Sequence, residues 1–366
     1  MLSRSSKSED EASRPSGPPT IATLAAHLGL SRATVTHVLN GRAEEQRIRP
    51  ETRERVLAVA AELGYRANAS ARAVRAGRFG SVALLQSRLG QYLPDELLSG
   101  LSAGLAAERL QLVLTEVPNV DVGGESLVAR AMRELSVDGV LVNRHGGTPT
   151  AFLERIQELR IPAVFLNTKQ AHDCVHPDDL GGGRLATEYL LSLGHRRIAY
   201  VGSEPVWIPH YSEADRLDGY ASAMGEAGGE PVVCRLPFAW QAPGGADDDQ
   251  RVLAALGLLS GERRPTAIVA YGLRESMAVL HAAQRLGLRL PSDLSLIHFH
   301  HRLDDQFGRP IHTVSNGMRP MGEAAVELLL EKIAHPERPL PPRVVPEQLL
   351  PGATCAPPRP VGEGKG

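Results

Sequence analysis

Cysteine is scarce in this chain: three in 366 residues, Cys174, Cys234 and Cys355, odd in number and widely separated. That spacing offers neither a metal pattern nor a disulfide framework, and it suits a reducing compartment. No stretch approaches the roughly 20 consecutive apolar residues that a bilayer-spanning helix needs. The opening "MLSRSSKSEDEASRPSGPP" has no apolar core of the kind an export signal requires, which argues for a cytoplasmic protein. Several enzyme signatures are also missing. The "GGG" at 181–183 starts a helical pattern without dinucleotide-binding spacing, there is no H-E-x-x-H, and no G-x-S-x-G string is placed as a strand-to-helix elbow.

Lysine is absent between Thr20 and Phe79, where ten arginines face five glutamates. This segment carries +5, the first nineteen residues balance to zero, and the remainder carries −7 of the net −2. A small basic unit joined to a larger acidic body is the electrostatic outline of a nucleic-acid reader attached to something else. The 42% hydrophobic and 22% charged fractions are those of an ordinary globular protein, and the length implies more than one domain.

Residues 1–19 are Ser, Pro and charge, and read as a disordered tail. Three short helical patterns follow. "TIATLAAHLG" has Thr20 as N-cap and Gly29 as stop, with Ile21, Leu24, Ala25 and Leu28 on one face. "SRATVTHVLN" opens with Ser31 and buries Val35, Val38 and Leu39. The third begins at Pro50, a first-turn proline, and buries Val56, Leu57, Ala60 and Leu63. Two helices joined by a tight turn and closed by a third form a helix-turn-helix unit. Its second helix carries polar residues at its start, where such units meet base edges.

From Gly80 the texture becomes alternating strand and helix. The strand candidates are "SVALLQ", "LQLVLTEV", "VDGVLVN", "IPAVFLN", "RIAYVG", "TAIVAYG" and "LSLIHF", separated by amphipathic stretches. That alternation predicts mostly parallel sheets in two lobes, with ligands at the carboxyl ends of the strands. The Pro-rich end is expected to be disordered from about Ala356.

The strings "TIATLAAHLGLSRATVTHVLNGR" and "TRERVLAVAAELGYRANASARAVRAGR", then "GGGRLATEYLLSLGHRRIAYVG", "RLDGY", "RLGLRLPSDLSLIHF" and "HTVSNGMRPMGEAAVELLL", together resemble the LacI/GalR (lactose-repressor) family from Thr20 to about Pro357. The resemblance implies an N-terminal all-α helix-turn-helix headpiece followed by a two-lobed α/β domain with parallel sheets, like the periplasmic binding proteins. The implied organisation is a tail at 1–19, a DNA-binding domain at 20–66, a hinge helix at 67–79, an effector-binding and dimerisation domain at 80–357, and a tail at 358–366. The implied activity is that of a homodimeric transcriptional regulator, by default a repressor, on a palindromic double-stranded operator. A small-molecule effector in the interlobe cleft would control it allosterically, with no cofactor, no metal and no membrane partner. The competing reading is an α/β small-molecule enzyme carrying a helical DNA-binding appendage.

On the DNA side, Arg32 and Ala33 occupy the family's two base-choosing positions. Arg32 reaches either a guanine edge or a phosphate. Thr20, Ser31, Thr34 and Thr36 are phosphate or cap partners, and Asn40 ends the helix or meets the DNA. His37 stands where most members have Arg, replacing a rigid fork by a single donor. Arg47 and Arg49, in a loop about three residues longer than usual for the family, either contact phosphates or are simply solvated. In the hinge "RANASARAVRAGR", Asn68 suits the N-cap, Arg72 is one of three arginines that repel one another off DNA and so favour folding on binding, and Val74 aligns with the family's minor-groove leucine. Valine is shorter and stiffer there, so it kinks DNA less deeply.

In the effector domain, Arg216 matches a family position that often binds ligand, with an interlobe salt bridge as the alternative. Arg88 aligns with a usual acidic residue, Gly272-Leu273 with Asn-Asp, and His298-Phe299-His300-His301 with Gly-Phe-Asp-Asp. Arg88, Tyr92, Tyr271 and His300 therefore stand in for the sugar-binding anchors. Trp207 and Tyr271 would stack on a ring or pack a loop. The expected ligand shifts towards an acidic or atypical metabolite, or an unusual sugar. His298 and His300 share a strand face, but His172, His176 and His210 are distant, so packing or a ligand contact outweighs a metal site.

Overall fold

The computed structural model describes residues 19–65, 78–86, 93–116, 137–143, 154, 156, 158, 160–204, 210–237, 246–301, 308 and 310–359. The chain divides into two compact units, Met1–Phe79 and Gly80–Gly366.

The first unit contains helices α1 (Ile21–Leu28), α2 (Arg32–Leu39) and α3 (Pro50–Glu62). Thr20 and Thr23 cap α1 reciprocally: each backbone N–H donates to the other's hydroxyl, at 2.7 and 3.2 Å. Ser31 opens α2 and Pro50 takes the first turn of α3. Leu24, Val35 and Val56 are fully buried, with Ala25, Val38, Ala43 and Ala60 around them. Two expected core residues fall outside it. Leu57 and Leu63 are 44% and 40% exposed, because the inward stripe of α3 runs through Val56, Val59 and Ala60. Leu57 lies a further ~100° around that helix. The long loop is an ordered turn: Ala43 is buried, its carbonyl accepts from the Ile48 N–H at 2.8 Å, and Arg47 takes a left-handed φ of 52°.

The second unit is built on two six-stranded sheets. The first holds β1 (Ser81–Gln86), β2 (Gln111–Glu116), β3 (Gly139–Asn143), β4 (Ala163–Leu166), β5 (Cys174–Pro177) and β11 (Arg343–Val345). Their order is β11-β5-β4-β3-β1-β2, parallel throughout. The second holds β6 (Ile198–Ser203), β7 (Val232–Leu236), β8 (Ala267–Ala270), β9 (Ser295–His300), β10 (His312–Ser315) and β12 (Gln348–Leu350). Their order is β12-β10-β9-β8-β6-β7, with only β12 antiparallel. Both faces are covered, so β1 and β3 are buried along their whole length. Helices α4 (Asp95–Ala107) and α9 (Met318–Ala334) close one face of the first sheet. Helices α5 (Asp179–Ser192) and α6 (Tyr211–Glu226) cover one face of the second, α7 (Ala246–Leu259) and α8 (Leu273–Arg285) the other.

Among the described residues the chain passes between the lobes three times: after β5 into α5, after β10 into α9, and from β11 into β12. The second crossing turns at Gly317, φ 59°, where a Cβ would lie 2.8 Å from Val345 of the third. Both sheets reverse their winding at one place, between β1 and β3 and between β6 and β8. Ligands of doubly wound folds bind at the carboxyl ends of such strands.

The expected disorder from Ala356 does not hold for the first residues beyond it. The Ala356 carbonyl accepts from Ser295 Oγ at 3.0 Å and lies 2.9 Å from His195 Nε2, and Arg359 pairs with Asp293 at 2.7 Å. The G-x-S-x-G string at Gly100–Gly104 lies inside α4, where a Cβ on Gly100 would strike the Arg319 carbonyl and one on Gly104 would meet Val326 at 3.0 Å. These glycines serve helix packing.

Helices α5 and α6 approach so closely that a Cβ on Gly183 would strike the Arg216 carbonyl, and one on Gly219 the Leu180 carbonyl. Gly225, in the last turn of α6, faces open space. Gly183→Ala should therefore cost ~1–3 kcal/mol through overpacking, whereas Gly225→Ala should gain about 0.5–1 kcal/mol of helix propensity. Thermal melts of the two variants check this, with shifts of opposite sign.

Candidate nucleic-acid interface and interlobe site

Helix α2 is set up by local chemistry. Ser31 Oγ accepts from the Thr34 N–H at 3.1 Å and hydrogen-bonds the Thr34 hydroxyl at 2.8 Å. Thr36 donates its hydroxyl to the Arg32 carbonyl at 2.7 Å. Ser31, Thr34 and Thr36 thus spend polar groups on the helix itself, which leaves Arg32 and Ala33 as exposed side chains on its first turn. His37 is half-buried in the last turn, and exposed Asn40 is the C-cap. Thr20 caps α1. Arg47 and Arg49 are exposed on the ordered turn and at the start of α3. Asn68, Arg72 and Val74 lie outside the described residues.

In the second unit, the winding reversals bring particular side chains to the strand ends. Gln86 and Asn143 close β1 and β3 in register, and the Asn143 amide donates to Gln86 Oε1 at 2.7 Å in a buried pair. At the end of β6, Ser203 donates to Glu275 Oε1 at 2.6 Å. Glu213, on the first turn of α6, lies 3.5 Å from Arg235. Burial, with Glu275 nearby, pushes the Glu213 carboxyl up to about 7.

Arg216 sits deeper. Its Nε donates to Asp179 Oδ1 at 2.7 Å, its Nη2 lies 2.6 Å from the same oxygen and 3.6 Å from Glu347, and its Nη1 donates to the Tyr271 carbonyl at 3.1 Å. The guanidinium lies 4.2 Å from the Phe299 ring centre and 5.1 Å from that of Tyr271. Burial works against its charge, but Asp179 and Glu347 outweigh burial and raise its pKa. Asp179 opens α5 and Glu347 lies in the third crossing, so Arg216 ties two crossings together. Of the two roles open to it, the described arrangement is the salt bridge.

Tyr271 shares a 2.9 Å hydrogen bond between its hydroxyl and Ser212 Oγ, and burial pushes it up to about 12. His300 is half-buried in a stack of imidazoles, 5.7 Å from His298 and 4.1 Å from His301. His298 is fully buried, 3.0 Å from Ser276 Oγ and 3.1 Å from Thr313 Oγ1, and burial with the neighbouring His300 lowers it to about 3. His301 lies 3.1 Å from Asp95 of the first lobe. His210 Nε2 lies 2.9 Å from the Asn167 carbonyl, the Tyr211 hydroxyl donates to the Asn167 side chain at 3.2 Å, and Lys169 pairs with Asp215. The histidine strand therefore contributes packing and one interlobe contact. No group of three or more His, Cys, Asp or Glu able to hold a metal occurs among the described residues. Arg88, Tyr92 and Trp207 lie outside them.

Sequence reasoning missed Asp179, Glu347, Glu213 and Glu275. Asp178-Asp179 before the glycines was a visible N-cap signal, since Asp178 accepts from the Gly181 N–H at 3.0 Å. Glu347 stood in a Pro-rich stretch that carries no periodic pattern.

Residues 20–68 match the family model for bacterial regulatory proteins of the lacI family, and residues 187–355 match a periplasmic binding protein-like domain. The chain is 28% identical over 326 residues to the HTH-type transcriptional repressor PurR of Vibrio vulnificus (strain CMCP6), covering 87% of this chain and 93% of that protein. A LacI family transcriptional regulator from Mycobacterium smegmatis superposes with a TM-score of 0.61 at 27% identity, covering 76% of this chain and 100% of that one. The lac repressor dimer bound to operator and the anti-inducer ONPF shares the fold, with a TM-score of 0.75 at 21% identity over 93% of this chain and 100% of that one. No described helix is long and apolar enough to cross a membrane. These relatives are transcriptional regulators rather than enzymes. The chain thus carries the helix-turn-helix region of the lacI family of bacterial regulatory proteins followed by a two-lobed periplasmic binding protein-like domain, and the proteins it resembles are transcriptional repressors.

Proposed function

We propose that the protein is a sequence-specific repressor that binds a palindromic operator as a homodimer and is controlled by a small molecule held between the lobes. The observation that carries this reading is α2: Ser31, Thr34 and Thr36 use their hydroxyls in hydrogen bonds within the helix, and Arg32 and Ala33 are left as exposed side chains on its first turn. Its N-terminal turn is where such helices meet base edges. Arg32 forks onto a guanine, Ala33 meets an apolar edge, and His37 makes the operator differ from one read by an arginine at that place. Thr20, Ser31, Asn40, Arg47 and Arg49 position the headpiece on phosphates. Asn68, Arg72 and Val74 belong to a hinge helix that orders on the minor groove.

The polar strand ends support the small-molecule half of the reading. Glu213, Glu275, Ser203, Gln86 and Asn143 offer chiefly acceptors, which weigh towards a hydroxyl- or amine-bearing ligand and away from the acidic one expected from sequence. Tyr271 lies near Glu213, and this reading assigns Tyr271, His300, Arg88, Tyr92 and Arg216 as further ligand contacts. A ligand exerts control only if it binds one lobe arrangement better than the other.

A gel shift against the protein's own upstream region, with a turnover assay as control, tests the DNA half. Arg32→Ala should lose ~1–3 kcal/mol on the operator and little on unrelated DNA. An equal loss on both, with the salt slope reduced by about 1, would make Arg32 a phosphate contact instead. For the cleft, a thermal-shift screen of polyols, amines and carboxylates should select the first two classes. The Glu213 carboxyl is raised to about 7, so a ligand that donates to its ionised form should bind more tightly as pH rises from 6 to 8. Glu213→Gln should flatten that profile, as read by calorimetry.

A further inference from the structure

Each of the three crossings between the lobes contains a buried polar atom without a hydrogen-bond partner: Asp179 Oδ2 at the first, Asn316 Oδ1 at the second, and both carboxyl oxygens of Glu347 at the third. A native fold satisfies nearly all buried polar groups, so orphans at all three of these crossings call for an explanation. Asp179 and Glu347 are almost fully buried, their side chains 0% and 1% exposed, and they share the single cation Arg216. The guanidinium hydrogen-bonds Asp179, whereas its 3.6 Å approach to Glu347 is an ion pair too long for a hydrogen bond. Room for the Glu347 carboxyl exists because residue 182 is glycine: a Cβ there would strike Oε2. Two buried carboxyl groups then meet, and the Tyr211 hydroxyl beside Asp179 donates to Asn167 Oδ1 at 3.2 Å. One proton on Glu347 turns both orphans into a donor–acceptor pair.

We infer that Glu347 and Asp179 form a one-proton latch at the lobe crossings, holding the described lobe arrangement while Glu347 is protonated and releasing it when the proton leaves for solvent. The groups facing Glu347 are Arg216 of α6 and Asp179 and Asp178 at the start of α5, while Tyr211, Tyr271 and Tyr200 face the Asp179–Arg216 pair. Phe299 of β9 and the α5 backbone at Gly182 are the uncharged walls. Burial, reinforced by Asp179 and Asp178 and opposed by Arg216, raises the Glu347 carboxyl from 4.5 to about 9. The sign follows. In an arrangement that opens the site to water, Glu347 has its ordinary acidity, so between pH 4.5 and about 9 opening releases one proton. The closed arrangement is fully favoured below that window and loses its advantage as pH rises through it. This device regulates the same interlobe site as the function proposed above and rests on that reading only for its effect on gene control.

The test uses the free full-length protein and neither DNA nor effector, so its failure leaves the repressor reading intact and is distinguishable from failure of that reading. Potentiometric titration of the native wild type between pH 7 and 10 should release one proton per chain more than Glu347→Gln. Over the same range, hydrogen exchange at Asp178 and Asn316, corrected for its intrinsic pH dependence, should speed up in wild type and not in the variant. The Asp178 amide ties the first crossing to the third, donating to the Val345 carbonyl at 2.9 Å, and the Asn316 amide holds the start of the second crossing to the end of β9, donating to the His300 carbonyl at 3.1 Å. If Glu347→Gln does not fold, Asp179→Asn serves instead, since losing that carboxylate should move the extra proton release below pH 7. Equal proton release by wild type and Glu347→Gln, persistence of the release in Asp179→Asn, or proton release without faster exchange at the crossings would each overturn the latch.

Discussion

A guanidinium buried in the second lobe is the point at which two of the chain crossings are tied together. Arg216 is surrounded by Asp179 and Glu347 from two chain crossings, the Tyr271 carbonyl from the second sheet, and the rings of Tyr271 and Phe299. A charge so deeply placed is tolerable only when paired and hydrogen-bonded, and removing one partner would leave another charge stranded. The surrounding backbone accommodates it: glycines at 182, 183 and 219 let α5, α6 and Glu347 approach closely enough to close the cluster. The packing of the two helices and the electrostatics of the crossings are therefore one constraint.

That constraint commits the donors of Arg216. A single arginine in the cleft is a natural ligand contact, yet here its donors face Asp179, Tyr271 and Glu347. The proposed ligand site lies instead at the strand ends, where Ser203, Glu213 and Glu275 stand at the winding reversal of the second sheet and Gln86 with Asn143 at that of the first. The lobes touch again through His301 with Asp95, Lys169 with Asp215, and Asn167 with His210 and Tyr211. Polar and titratable contacts of this kind are easier to exchange than an apolar seam, which suits a domain that changes its closure.

Much of this was legible in the sequence, and the reason differs from element to element. The headpiece was readable because Thr20, Ser31 and Pro50 are local signals and its small core demands strict spacing at Leu24, Val35 and Val56. Leu57 and Leu63 misled because an apolar residue beside the true stripe looks like part of it. Long apolar strands such as "SVALLQ" announced themselves, whereas "CVHP", "HTVS", "RVV" and "QLL" are short or polar and take their form from neighbouring strands. The ordered end past Ala356 was hidden by proline, since its stability comes from His195, Ser295 and Asp293, far away in the chain. The acidic cluster was hidden for the same reason: Asp179, Arg216 and Glu347 come together only when the first and third crossings meet. Arg216 could be singled out as important, but its partners could not.

The account has a reading head and a cleft joined in one regulator, and its central claim is that the second governs the first. Operator affinity of the wild-type protein, measured with and without a ligand selected by thermal shift, tests that claim most directly. The account predicts a ligand-dependent change of roughly 5- to 150-fold, corresponding to a coupling of about 1–3 kcal/mol. An operator affinity that stays the same at saturating ligand, in a protein whose cleft demonstrably binds it, would contradict it.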